Sequence, residues 1–308
     1  MKSNTQSNTQ SSTQSNTQSS TQSNKRQNTV APYVFAAFTG DRSGSMQGIY
    51  EVSATGLYEW ATDLIESAND NNQQGRMFIT CFDNKADKRL DNVDLKYVRI
   101  TQKKCMEWMN PRGSTRLYDT AIEDLDNIIQ KVEEFKKNLP RAVKMLNPEI
   151  SIVWACCTDG YDNSSVNTRE DFKKKVLWAR EKGVKCFFLA ANQDAVTTGQ
   201  SYGFSADTSM TYTADTEHSA MAFRSVSTNM KQASRGESFS FTRVQRQSSQ
   251  RQPSPPPTAP QSPQSAQAPQ APQSAQAPQA PQALTNRQRF NMNQVAPSLT
   301  RSPRVRFW

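Results

Sequence analysis

The sequence predicts an α/β protein built on a doubly wound, mostly parallel sheet, and three observations carry that expectation. Apolar runs of strand length alternate with longer amphipathic stretches between residues 34 and 234. The run Ile150-Ser-Ile-Val-Trp-Ala-Cys-Cys157 is apolar almost without interruption, the pattern of a strand covered on both faces. Polar residues gather just past the carboxyl ends of such runs, where an open α/β sheet places its ligand crevice.

The elements follow in order. A first strand starts at Val34 and stops at Asp41, and residues 48–69 set Ile49, Val52, Leu57, Trp60, Ala61, Leu64, Ile65 and Ala68 largely on one helical stripe. Met77–Phe82 reads as a buried strand and Tyr97–Ile100 as a short edge strand. A second long helix begins near Leu117, with Ala121, Leu125, Ile128, Ile129, Val132 and Phe135 inward. After the 150–157 strand, Thr168 and Asp171 have capping-box spacing for a helix whose inner face carries Phe172, Val176 and Leu177 and which Gly183 ends. Val184–Ala190 is the next strand. A loop with a short helix leads to Met210–Thr213, read as an edge strand, and residues 216–234 form a last helix with Ala220, Phe223, Val226 or Ser227, and Met230 inward.

Composition divides the 308 residues into three parts. Residues 1–28 form a Ser/Asn/Thr/Gln tail, in which 3–22 are five copies of Ser-[Asn/Ser]-Thr-Gln, and 237–308 form a basic Pro/Gln/Ala-rich tail. Neither holds enough apolar side chain to offset the entropy cost of ordering, so both are expected to be disordered, leaving 29–236 as one domain. The formal charge of +9 belongs to the tails: three cations precede residue 29, and nine arginines against Glu237 follow residue 234, which leaves −2 between. The basic balance therefore describes the tails, where arginines suit contact with nucleic acid or another polyanion. Prolines 263, 269, 272, 278 and 281, spaced by multiples of three, suit a polyproline spacer. Five cysteines without a C-x-x-C, four of them inside apolar runs, read as buried hydrophobes in a reducing compartment. The start resembles no signal peptide, and no apolar run approaches the ~20 residues of a membrane helix. A cytoplasmic location is expected.

The chemistry centres on Asp41-Arg-Ser43-Gly-Ser45, where a strand empties into an oxygen-rich turn. Three side-chain oxygens on alternate residues, with Gly44 between the serines, converge on a point beyond the strand end, and hard oxygens suit Mg²⁺ before Ca²⁺. Two further clusters fall where they can meet Asp41: Gly113-Ser-Thr115-Arg-Leu-Tyr-Asp119 at the start of the second long helix, and Thr158-Asp159-Gly160 after the most apolar strand. Singly, each reads as a helix cap or a turn.

Together, these residues resemble a von Willebrand factor type A domain with its metal-ion-dependent adhesion site, over about residues 34–234. The Thr158–Asn163 and Leu189–Asp194 segments look like intracellular, microbial or viral members. The resemblance implies a Rossmann-like fold and a metal site made of Asp41, Ser43, Ser45, Thr115 and Asp159. It also implies Mg²⁺ (or Mn²⁺) as the ion, a partner protein that supplies an Asp or Glu carboxylate, and a binding rather than enzymatic role, in the cytoplasm or, for a viral member, in the host cell or virion.

Three other classes stand beside that reading. Some members of this fold serve ribonucleoprotein particles, and the arginine tail allows RNA contact, although the core lacks an interleaved aromatic and basic strip. A metal-dependent hydrolase needs a general base, yet the one histidine, His218, lies in the last helix. A dinucleotide enzyme fails on the absent G-x-G-x-x-G.

Overall fold

The computed structural model describes residues 31–251. The N-terminal repeats, the proline repeats and the terminal Arg304–Trp308 segment lie outside the described residues.

The described chain builds one six-stranded sheet: β1 (Tyr33–Asp41), β2 (Gln74–Phe82), β3 (Ala86–Asp94), β4 (Ile150–Thr158), β5 (Val184–Ala191) and β6 (Ser209–Tyr212). Its order is β3-β2-β1-β4-β5-β6, with every neighbour parallel except the β2–β3 hairpin. The longer helices are α1 (Tyr50–Asp70), α2 (Gln102–Trp108), α3 (Leu117–Asn138), α5 (Arg169–Glu181), α6 (Ala195–Ser201) and α7 (Thr216–Ser234). Two short ones, α4 (Arg141–Met145) and α8 (Arg243–Ser248), complete the set.

The period of two in β1 decides which helices cover which face. Val34, Ala36 and Phe38 join Leu57, Trp60, Phe223 and Met230 under α1 and α7. Phe35 and Ala37 join Leu125, Ile128 and Phe172 under α3 and α5. Helices thus cover both faces, as the apolar continuity of β1 and β4 required. Winding runs outward from β1 through β2 to β3, then restarts on the other side with β4. The reversal falls between β1 and β4, and their carboxyl ends, at Asp41 and Thr158, frame the crevice there.

Most expected elements are in place, including the capping box of Thr168 and Asp171 and the helix end before Gly183, whose φ is +88°. Some readings need correction. Tyr97–Ile100 is no strand: residues 95–97 make a 3-10 turn, and the edge strand is β3, antiparallel to β2. Leu95 and Val98 are buried because that turn packs against β2, with Leu95 lying over Gly75, not because it pairs. Leu177 is exposed, and Ala179 takes the inward place beside Phe172 and Val176. On α7 Ala222 is buried where Ala220 was expected, and both Val226 and Ser227 point inward.

The described chain also continues past residue 236. Phe239 and Phe241 approach the ring of Phe187 at 5.5 and 6.0 Å, and Arg246 donates to the Ala206 carbonyl, so residues 237–251 pack along β5 and β6. Among the described residues no helix is long and apolar enough to cross a membrane, and all five cysteines are free and buried.

Two predictions follow from this packing. Phe241 is 5 % exposed, so Phe241→Ala is expected to lower unfolding free energy by about 3 kcal/mol in urea denaturation. The second concerns Asp124, buried under the sheet, which accepts from Thr39 at 2.6 Å and Thr80 at 2.8 Å. Burial pushes its carboxyl up to about 6 from an ordinary 3.8. The folded state therefore holds this proton more tightly than the unfolded chain, and the associated stability is complete below about pH 4 and lost as pH rises to 6. Denaturation midpoints of Asp124→Asn should lack that part of the decline between pH 4 and 7.

Candidate metal centre

The five residues singled out in the sequence come from three loops at one end of the sheet. Asp41 closes β1, and Ser43 and Ser45 follow in the turn that leads to α1. Thr115 stands two residues before α3, and Asp159 directly follows β4. The parallel register that sets Gly40 beside Cys157 brings Asp41 level with Thr158, so the first and last of the five meet across one strand spacing.

Hydrogen bonds link them. Ser43 Oγ lies 3.0 Å from Ser45 Oγ, and Ser45 Oγ donates to Asp159 Oδ1 at 2.8 Å. Asp41 accepts the Ser43 amide on Oδ1 at 2.7 Å and the Thr158 hydroxyl on Oδ2 at 2.6 Å. Gly160 reports on Thr115: a Cβ built there would stand 3.8 Å from Thr115 Oγ1 and 3.9 Å from Ser45 Oγ. The two hydroxyls thus flank one small space that a hydrogen atom leaves open.

Burial shapes the charges. Asp41 is fully buried, which pushes its carboxyl up to about 6 against the pull of Thr158 and Ser43, with the neighbouring Asp159 charge adding a little. Asp159 is raised as well, again mainly by burial. Two carboxylates that resist ionisation where they stand gain from a nearby cation.

Among the described residues no group of three or more His, Cys, Asp or Glu side chains is placed to hold a metal. The candidate set differs from such a cluster in kind, since it has two carboxylates and three hydroxyls. All five donors are hard oxygens, which fits Mg²⁺ or Mn²⁺ and gives soft metals no thiolate or imidazole.

The threonine loop is held from two sides by residues whose roles the sequence did not disclose. The Thr115 amide donates to Asn163 Oδ1 at 2.8 Å, and its carbonyl accepts the Asn163 and Ser164 amides. Asp119, buried at the start of α3, accepts the Val166 and Asn167 amides and so pins the 159–168 loop against α3. The signal was the density of Asn, Asp and Ser in Asp159–Asn167, where side chains substitute for backbone acceptors. His218, by contrast, pairs with Asp215 at the start of α7 and shares no hydrogen bond with the five.

Arg42 departs from expectation. A charged side chain between two residues of a polar turn is expected to be solvated. Arg42 is 2 % exposed and turned away from the donor set, its guanidinium bonded to Asp83, Asp87 and the Trp108 carbonyl.

No protein-family model and no curated protein sequence matches the chain. Solved structures to which it is similar include proximal thread matrix protein 1 from the mussel byssus with a zinc-occupied MIDAS motif, at 14% identity and TM-score 0.41, over 67% of this chain and 46% of that one. A second is the pilus adhesin SpaC from Lactobacillus rhamnosus GG, at 12% identity and TM-score 0.48, over 66% and 31%. A third is a von Willebrand factor type A protein from Catenulispora acidiphila, at 14% identity and TM-score 0.44, over 65% and 43%. The chain spans less than half the length of each of these three structures.

Gly160 offers a direct test of the shared space. The contacts of an added methyl are ordinary van der Waals distances, so Gly160→Ala should unfold within about 0.5 kcal/mol of the parent. Calorimetric titration with Mn²⁺ is expected to show clearly weakened binding in the same variant.

Proposed function

We propose that residues 31–251 form a von Willebrand type A adhesion module that holds Mg²⁺ (or Mn²⁺) through Asp41, Ser43, Ser45, Thr115 and Asp159 and binds an Asp or Glu carboxylate of a partner protein. The observation that carries this reading is the continuous link Ser43–Ser45–Asp159 at the end of β1 and β4, with Thr115 closing the same space. Three loops far apart in sequence that present only oxygen side chains to one crevice are better suited to an oxygen-loving cation than to a helix cap or a turn.

The donor set supports binding over catalysis. Three neutral hydroxyls and two carboxylates leave a divalent ion under-neutralised, and the ion when bound supplies a Lewis-acidic position that favours an anionic oxygen. What these residues do is orient: Thr158 and the Ser43 amide fix both oxygens of Asp41, and Ser45 fixes Asp159. No thiol or imidazole shares a hydrogen bond with the five among the described residues, so a nucleophile and base for hydrolysis have no evident source. Five free thiols accord with a reducing compartment, and this reading sets the domain in the cytoplasm.

The test is calorimetric. The parent should bind one Mg²⁺ or Mn²⁺, and saturation at a hundred times Kd should add about 2.7 kcal/mol to unfolding free energy. Asp41→Ala should lose both effects while remaining folded, and it should also lose partner capture that EDTA abolishes in the parent. A folded parent that takes up no divalent ion would sink the reading.

A further inference from the structure

The second residue of the motif is an arginine buried as deeply as the core. Arginine is rarely hidden unless paired, because removing its charge from water costs several kcal/mol. Here every guanidinium nitrogen has a partner: Nε donates to Asp83 Oδ2 at 3.1 Å, Nη1 to the Trp108 carbonyl at 3.1 Å, and Nη2 to Asp87. Asp83 is fully buried and stands just past the end of β2. The same Asp83 oxygen accepts Arg112 Nε at 2.6 Å, and Arg112 Nη2 reaches Asp87 at 3.0 Å.

Two arginines and two aspartates therefore close a ring that joins two loops to the β2–β3 hairpin, and Arg89 adds a third cation 3.3 Å from Asp87. Around it the backbones are tied as well. The Arg112 amide donates to the Arg42 carbonyl at 2.9 Å, the Gly44 amide to the Gly113 carbonyl at 3.1 Å, and the Arg116 amide to the Asp83 carbonyl at 2.9 Å. Gly113 takes a φ of +70°, which lets the loop turn sharply between Arg112 and Thr115. Arg42 and Ser43 are consecutive, as are Thr115 and Arg116. The ring thus spans the one gap in the donor set that no direct hydrogen bond bridges, between the serine turn and Thr115.

We infer that Arg42 is a positioning residue for the metal centre, which with Asp83, Asp87 and Arg112 fixes Thr115 at its distance from Ser43 and Ser45 and thereby sets divalent-ion affinity. The inference rests on the proposed metal site but concerns different residues. Loss of such a supporting partner weakens metal binding about 10–100-fold in other sites. Lysine does not replace arginine here, since an ammonium on a flexible stem cannot meet two carboxylates and a carbonyl in one plane.

The experiment is Mn²⁺ titration of the full chain carrying Arg42→Met, Arg42→Lys or Arg112→Met, held well below each unfolding midpoint. Val132→Ala, about 22 Å along α3 from Leu117, controls for lost stability alone. Affinity should fall about 10–100-fold in Arg42→Met and less in Arg42→Lys, and stay at the parent value in Val132→Ala. Arg112 is half exposed, so Arg112→Met is expected to fold and to show a smaller loss even if Arg42→Met does not fold. Hydrogen exchange without metal supplies a second readout: the Gly44, Arg112 and Arg116 amides should lose protection in the arginine variants while those of α7 keep theirs. Folded variants with parental Mn²⁺ affinity would overturn the inference while leaving the metal site standing. Absence of Mn²⁺ binding in the parent would overturn both.

Discussion

Everything at the candidate site depends on β1 being paired in parallel on both sides along its length. Its neighbours β2 and β4 match it residue for residue, from Tyr33 opposite Gln74 and Ile150 to Gly40 opposite Cys81 and Cys157. A strand locked in that way cannot slip by one residue without turning Phe35 and Ala37 into the face that Ala36 and Phe38 occupy. The end of the strand is therefore as well defined as its middle. A buried chain of hydrogen bonds reinforces the register two residues before Asp41: Trp154 Nε1 donates to Thr39, and Thr39 and Thr80 both donate to Asp124. Three adjacent strands and α3 are joined there through polar atoms with no access to water, where an unpaired group would cost about 1–3 kcal/mol.

The loops beyond the strands have no ladder to order them, so side chains take over. Asp119, Asp162 and Asn163 accept backbone amides of neighbouring elements, and Asp83 accepts side chains of two other loops, from Arg42 and Arg112. Most acidic residues around the crevice are committed in this way and are not free to ligate. Asp41 and Asp159 differ from them. Asp41 accepts one amide, but within its own turn, and each otherwise accepts from the hydroxyl of Thr158 or Ser45, which leaves acceptor capacity on both carboxylates.

The core of this arrangement was legible because its signals are local. Buried parallel strands announce themselves as unbroken apolar runs, and the five candidate residues sit at strand ends and a helix start that periodicity locates, while their grouping into one site came from the family resemblance. What escaped depends on partners distant in sequence. β3 is an edge strand whose residues alternate weakly and whose faces are half exposed, so Ala-Asp-Lys-Arg-Leu-Asp-Asn-Val-Asp carries little contrast between its two sides. Tyr97–Ile100 looked like a strand because a turn packed against the sheet and a strand within it leave the same composition in so short a run. The burial of Arg42 escaped for a related reason. A charged residue in a loop is usually solvated, and only the folded positions of Asp83 and Asp87, more than forty residues on, reveal a site able to take it inside.

The choice of hydroxyls over further carboxylates has a consequence for how the domain can work. A cluster of four or five acidic groups at the β1–β4 crevice would repel itself, and the ion would then be needed to hold the loops together. Here the loops are held by the arginine–aspartate ring, by Asn163 and by Asp119, none of which belongs to the candidate set. The candidate set holds two carboxylates, each already bonded to a hydroxyl. Support and ligation are thus assigned to different side chains. In the proposed role, that separation lets the free energy of ion binding go to the ion and an incoming carboxylate rather than to folding, which is what a module that captures a partner reversibly requires.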